Sequence, residues 1–470
     1  MYYITMNINQ KEHAEVFPIN PPSGAYSFRG GFPIVQFQIA NQNKLLDPSS
    51  LRLNGTFKMI APTLPPTRAP LNNTSAAPVA DSNTGININN RVGIASTIHQ
   101  MTISTLSNQT LETVRSYGRY LASVVPVTHS QSDFDMTNQV QNPASASRSF
   151  NGAHALNNEV SFCIPLRSGL LSGQNFIPLG TSGVNGLQLQ LELAADSAVI
   201  SGYETYDKAD AATQMLFNPP NNGAFYELAD LTLSYNLYVP DEEGQNQMAM
   251  PSTGSLSYNS ISQLYSVINS SDQTKVLNLG TSNTLSVFHN FIPTNQINNY
   301  AFDSFSTGQL QNSGGTQIAP ANATLNRVTF IRGGLKFPLE YDVEVQDAGE
   351  ADRPQTMNTI NFINSIKPYK FYNHSLMSTY TNQGIIGTIG FNYAKTPRNK
   401  NTLPDPKAEI FGVGISFDPL SKVGVDFRRT SYGVRLVSQL QDSNSPNSIF
   451  TYVRARNTLT YSPAGIAVTS

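Results

Sequence analysis

Apolar and polar side chains alternate along several stretches of this chain. From Ile34 to Ile39 and from Leu187 to Leu193 the alternation is regular, with Gln36, Gln38, Gln188, Gln190 and Glu192 on the polar side. A period of two gives a strand one buried face and one wet face. Leu51 to Phe57 follows the pattern in part, and Leu231 to Val239 and Gly333 to Val345 behave similarly. Clusters of Gly, Pro, Asn and Asp separate these runs and supply turns. The chain is expected to be all-β with a few helices.

One helix is expected over 111–125, where Leu111, Val114, Gly118, Leu121 and Val125 recur at helical spacing. Asn108 or Thr110 can cap its start, Glu112 suits its positive end, and Pro126 stops it. A second is expected over 356–366, with Met357, Ile360 and Ile363 on one side and Pro368 beyond. Residues 1–23 carry Pro18, Pro21 and Pro22 and show no strand period. They are expected to run extended across the outside of the first domain, with Val16, Phe17 and Ile19 as a small apolar cluster.

The two halves repeat one order of elements. A strand from Leu51 to Ile60 leads into a polar, Pro-rich stretch, Ala61 to Ile88; Asn90-Arg91-Val92 opens another strand, and the helix at 111–125 follows. In the second half the strand Leu285 to Ile292 leads into Thr294 to Ala323; Asn326-Arg327-Val328 opens a strand, and the helix at 356–366 follows. Strand, long loop, strand and helix recurring at about half the chain length imply two copies of one fold. Pro240 to Gly254 reads as the linker. Loops of this length are uncommon unless they act, here as an exposed tower or as contacts with neighbours; tolerated surface insertion is the alternative.

Composition narrows the function. Only 13% of the 470 residues are charged and the net charge is -2, so there is no basic excess to neutralise phosphates. Polarity comes from Asn, Gln, Ser and Thr, which suit packing against copies of the same chain and also glycan binding. Cys163 is the only cysteine, which excludes an intrachain disulfide and favours a reducing compartment for folding. The first twenty residues lack the apolar run of a signal peptide, and no stretch reaches the ~20 apolar residues that span a bilayer. A soluble protein that is not conventionally exported is expected.

Catalytic patterns are missing. There is no His-Glu-x-x-His, phosphate loop or Gly-x-Ser-x-Gly elbow. His13, His99, His129, His154, His289 and His374 are scattered without metal-ligand spacing. His289, between Phe288 and Phe291, reads as a satisfied strand histidine. Asp347-Ala348-Gly349-Glu350-Ala351-Asp352 could gather oxygens around Ca²⁺ but lacks EF-hand spacing, so a solvated loop is the plainer reading. Glycosylation-type triplets begin at Asn54, Asn73, Asn108, Asn322 and Asn373 and read as by-products of an Asn/Thr-rich composition. Arg29-Gly30-Gly31 and Arg332-Gly333-Gly334 read as glycine turns. No catalytic, cofactor-binding or metal-binding residue is nominated, and neither an enzyme nor a cofactor is expected.

Four passages resemble the double jelly-roll major capsid proteins of double-stranded DNA viruses, most closely those of virophages and polinton-like viruses. They are Ala95 to Ile103 leading into Leu111 to Leu121; Val160 to Leu166 with Gly169 to Gly173, Phe176 to Leu179 and the strand 187–193; Leu228 to Tyr235; and Ser286 to Pro293. The resemblance spans roughly 25–300. It implies two tandem eight-stranded jelly rolls with a few short helices in long loops, divided as an arm 1–24, a first roll 25–239, a linker 240–254 and a second roll 255–470. It further implies a homotrimeric, pseudo-hexagonal capsomer tiling an icosahedral shell, found in the virion and assembled inside the host cell. The implied partners are copies of itself, a penton and minor capsid proteins, without specific nucleic-acid binding. The trimer interface and any internal membrane are left open. A lectin-like glycan-binding sandwich or viral spike is the alternative, and a β-sandwich glycosidase a third, for which no carboxylate pair can be named. The absence of Trp counts against sugar stacking, although the 21 Tyr could substitute.

Overall fold

The computed structural model describes residues 8–60, 85–88, 92–128, 150–151, 159–203, 225–240, 253–294, 297–298, 304–305, 309–311, 318–320, 325–337, 343–344, 364–366, 412–417, 424–438, 446–462 and 465–469, with positions 23, 41, 174 and 182–183 excepted. The first part of the chain supplies β1 (Ile8–Val16), β2 (Ile34–Ala40), β3 (Leu45–Ile60), β4 (Gly85–Ile88), β5 (Ile98–Thr105), β6 (Thr110–Arg115), β7 (Phe150–Asn151), β8 (Glu159–Pro165), β9 (Ile177–Pro178), β10 (Gly186–Leu193), β11 (Ile200–Tyr203) and β12 (Phe225–Pro240). Helix α1 (Tyr117–Thr128) follows β6. One sheet has the order β1-β12-β3-β8, with β9 added to β3, and the facing sheet has the order β2-β10-β5-β6. All pairings are antiparallel.

The second part repeats this plan with β13 (Gly254–Ile268), β14 (Asp272–Leu277), β15 (Thr284–Pro293), β16 (Gln309–Gln311), β17 (Ile318–Pro320), β18 (Leu325–Arg332), β19 (Leu335–Lys336), β20 (Val343–Glu344), β21 (Val413–Ser416), β22 (Tyr432–Ser438), β23 (Asn447–Ser462) and β24 (Gly465–Thr469). Its sheets run β13-β23-β15-β21 and β14-β22-β18-β19, with β20 also on β18 and β24 on β23. Strand for strand, β13, β14, β15, β18, β19 with β20, β21, β22 and β23 stand where β1, β2, β3, β5, β6, β8, β10 and β12 stand in the first part. Each pair of sheets is a jelly roll, so the all-β, two-roll expectation holds and the repeat lies in topology.

Alternating burial shows why these segments pair as they do. In β10, Leu187, Leu189, Leu191 and Leu193 are buried while Gln188, Gln190 and Glu192 are half-buried. β15 is buried at every position. One of its faces meets its own roll, and the other is covered by α1. Because direction reverses at each strand, the connections after β1, β3, β6 and β10 all leave from one end of the first roll. β4, β7 and β11, drawn from three of these connections, join there into a small sheet of order β11-β4-β7. In the second roll the hairpin β16-β17 occupies the connection corresponding to β4. The described strands of these connections in the first roll therefore gather at one end, and the rest of the long loops lies outside the described residues.

Two expectations change. The helix read over 111–125 is a strand followed by a helix. β6 holds Leu111 to Arg115, and Ser116 takes a left-handed φ of 46° before α1 begins at Tyr117. The i, i+3, i+7 spacing spans both elements because β6 is buried at Leu111, Glu112 and Val114. Asn108, instead of capping a helix, takes a φ of 64° in the β5–β6 turn, a conformation Asn tolerates. The N-terminal segment does not simply lie outside the roll, since Ile8–Val16 pairs along its length with β12. Ala14 and Val16 pack against the core, and Glu12 accepts an ion pair from Lys44 at 2.5 Å. Of the helix expected over 356–366, only 364–366 lies within the described residues, and it is helical.

Removing residues 1–16 strips a strand whose hydrogen bonds are each worth about 1 kcal/mol net. The truncated chain should melt several degrees below the full chain in a thermal scan. An unchanged melting temperature would mean that β1 adds nothing to the sheet.

Candidate functional site

β6 and β13 are each the outer strand of a sheet, and an outer strand presents unpaired N–H and C=O groups. Here the two edges meet, and the centre of the meeting is the carboxylate of Glu112. It is 3% exposed. Its Oε1 accepts from the backbone N–H of Ile261 in β13 (2.7 Å) and of Gly169 (3.0 Å). Its Oε2 accepts from the Ser168 hydroxyl (2.6 Å) and the Leu170 N–H (2.9 Å). One side chain thus ties β6, the loop after β8 and the second roll together. Burial pushes this carboxyl above the ordinary glutamate range, and the four donated hydrogen bonds pull it back.

Other contacts extend the seam. The Tyr258 hydroxyl donates to the Leu111 carbonyl (2.7 Å), and Asn175 Nδ2 donates to the Ser257 carbonyl (3.0 Å). A side chain at Gly169 would collide with the Asn259 carbonyl, so only glycine permits this approach. Above Glu112, α1 lies on the outer face of β15 and β23. Tyr120 packs on Tyr452 with ring centroids 5.8 Å apart, and the Arg119 guanidinium sits 4.4 Å over the Phe450 ring. Arg119 donates to the Ser304 carbonyl, Asn290 donates to the Ser123 hydroxyl, and Tyr452 donates to the Ser116 carbonyl (3.1 Å). A Cβ on Gly118 would lie 2.6 Å from the Phe305 ring, which again fixes glycine at a close approach. Most of the buried apolar residues among those described form one cluster that runs through both rolls, and Ala122, Ala198 and Phe305 form a small second one.

The residues weighed for chemistry fall into structural roles. His289 is buried in the second roll, with Nδ1 2.8 Å from the Thr451 hydroxyl and Nε2 2.7 Å from the Tyr432 hydroxyl. Burial pushes its pKa down to about 3, so it is neutral at ordinary pH. It is the satisfied strand histidine expected. Gly31, Gly333 and Gly334 have positive φ and form turns at the two Arg-Gly-Gly sequences. Cys163 is half-buried in β8, and Asn54 lies in β3. Asp347 to Asp352, His129, His154 and His374, and the triplets at Asn73, Asn322 and Asn373, lie outside the described residues. Among the described residues, no group of three or more His, Cys, Asp or Glu side chains is placed to hold a metal ion. No described helix is long and apolar enough to cross a membrane. Sequence spacing missed the seam, because the donors to Glu112 come from 56 to 149 residues away. The one local signal was a carboxylate inside the apolar run from Leu111 to Val114.

No protein-family model matches the chain, and no curated protein is significantly similar to it. Solved structures are similar along its whole length. Alignment with the PBCV-1 virus capsid covers 100% of this chain and 98% of that one, at 11% identity and a TM-score of 0.56. The Faustovirus major capsid protein aligns over 98% and 92%, at 10% identity and a TM-score of 0.57. A chain of the Sputnik virophage aligns over 100% and 90%, at 9% identity and a TM-score of 0.52. The fold is the double jelly roll of viral major capsid proteins. In this double jelly roll the seam at Glu112 sets how one roll sits on the other.

Glu112→Gln keeps the shape but turns an amide NH₂ toward at least one backbone N–H that now donates to an oxygen. It should cost about 1–3 kcal/mol, read as a lower urea midpoint; an unchanged midpoint would remove Glu112 from the centre of the seam. His289 supplies a pH signature. Its folded pKa lies below the ordinary 6.5, so the stability it contributes is full above that value and is lost as pH falls from about 6.5 toward 3. His289→Gln should flatten the fall in melting temperature across that window, and an unaltered slope would assign it to other groups.

Proposed function

We propose that this chain is the major capsid protein of a double-stranded DNA virus, a structural subunit with no enzymatic role. The observation that carries the reading is the end-to-end likeness to the PBCV-1 virus capsid, which takes in both rolls. Physical features support it. Fusing two rolls of one topology gives a subunit with two similar outlines, so three copies around an axis present six similar sides. Such a block tiles a surface with near-sixfold neighbours while keeping closed threefold symmetry. The low charge, net -2, limits repulsion between densely packed copies. Long connections leave one end of the first roll together, where they would stand off a shell as a tower. The partners are further copies of the trimer, a penton protein and minor capsid proteins, and the location is the virion, after assembly in the host cell.

Two buried ionisable side chains fit a scaffold. Glu112 and His289 are buried and fully hydrogen-bonded within the fold, not open to a substrate. Obligate interfaces of the kind proposed bury upward of ~2,000 Å², so the trimer should persist on dilution. Light scattering on a sizing column should give three times the chain mass of 51.2 kDa. A monomer across the micromolar range would overturn the capsomer reading.

A further inference from the structure

Three of the connections that leave one end of the first roll are tied together at a single point. The chain runs from β10 into a short helix, α2 (Asp196–Val199), then into β11, and returns to the roll at β12. At the return, Asp196 and Tyr226 clasp each other. The Tyr226 N–H donates to Asp196 Oδ1 (3.2 Å), and the Tyr226 hydroxyl donates to the Ala194 carbonyl (2.6 Å). The same hydroxyl reaches the Thr97 carbonyl (3.3 Å), which also accepts the Ala194 N–H (2.7 Å), so the end of the β3–β5 connection joins the clasp. The connection after β1 joins it through Tyr26, which exchanges backbone hydrogen bonds with Leu228, and through Arg29, whose guanidinium sits 5.3 Å over the Phe225 ring. We propose that this clasp is a pH-sensitive joint, firm when Asp196 carries a proton and looser when it is ionised.

The geometry favours the neutral carboxyl. Asp196 is 8% exposed and Tyr226 is fully buried. Glu112, also buried, faces four donors, whereas among the described residues Asp196 is given only the Tyr226 N–H and its own N–H. A buried carboxylate with so few donors loses more hydration than it regains. Burial pushes its pKa up to about 6, against the pull of the Tyr226 N–H and of the Arg29 charge. The other titratable or charged groups belong to the elements packed on α2. β12 brings Tyr226 and Glu227, and β11 has Tyr203 in its sequence. α1, which meets α2 through Ala122 and Ala198, brings Tyr117, Arg119 and Tyr120, with Arg119 turned to Phe450 and the Ser304 carbonyl. The 3-10 turn at Gly93–Thr97 brings none. With the folded pKa above the ordinary 3.8, the stability Asp196 contributes is full below that value and is lost as pH rises through about 6. Acid therefore firms the roots of these connections and neutral pH loosens them, opposite in sign to His289. The joint lies within one chain and does not rest on the capsomer reading.

Hydrogen exchange read by mass spectrometry on the full chain tests the joint, with rates corrected for the intrinsic effect of pH. In peptides covering 194–203 and 225–230, protection should fall about tenfold between pH 5 and pH 7.5, the change implied by a folded pKa of about 6 and an unfolded one of 3.8. Asp196→Asn keeps an acceptor for the Tyr226 N–H without the charge. Its protection should match the acid form at both pH values and change less than about twofold between them. Arg29→Gln removes a cation that favours the ionised carboxyl, so the midpoint of the fall should move to higher pH. Equal protection of the unmodified chain at pH 5 and pH 7.5 overturns the proposal. So does a tenfold fall that persists in Asp196→Asn, or a midpoint that Arg29→Gln leaves in place.

Discussion

A sandwich of open sheets has edges, and an edge strand needs partners for its backbone. The structure depends on how one such edge, β13, is satisfied by side chains in place of another strand. Glu112 supplies two acceptor oxygens to four donors, one of them the Ile261 N–H on that edge. Leaving those donors buried and unpaired would cost several kcal/mol, far more than the net gain of any one bond. The contact therefore acts less as an adhesive than as a register mark: only one placement of the second roll satisfies every group. Gly169 and Gly118 permit that placement by removing side chains where backbone or ring must approach closely.

From that register the rest follows in layers. α1 comes directly after β6, so fixing β6 places α1 over β15 and β23. Its cover explains why β15 is buried on both faces, unlike a strand with one wet side. The two rolls share a topology, yet they have diverged on the same outer face, aromatic where α1 lies and amide- and hydroxyl-rich where it does not. One duplicated plan has thus become a permanent seam within the chain and a different surface outside it.

Much of this was legible in the sequence, where local physics dominates. β2 and β10 show clean alternation because each has one face on the core, and the repeated order of strands and long loops emerged from turns and loop lengths. The failures have physical causes. β1 is an edge strand carrying Lys11, Glu12, His13 and Glu15, so its pairing is made by backbone and leaves little apolar trace. The run from Leu111 to Val125 looked like one helix because β6 is covered on both faces, which erases the period of two. Glu112 looked like a residue suited to a helix N-terminus; its real partners are fixed only by tertiary structure. The triplet Asn326-Arg327-Val328 does lie in a strand, β18, but in its counterpart Val92 precedes a 3-10 turn at Gly93–Thr97, so the resemblance of letters was coincidental.

The central claim is that the seam makes two rolls into one cooperative unit. Scanning calorimetry on the full chain tests it most directly, by comparing the heat absorbed with the enthalpy implied by the sharpness of the transition. One transition in which the two enthalpies agree is the expected result. Two resolved transitions, each carrying about half the heat, would show that the rolls unfold independently and would contradict the account.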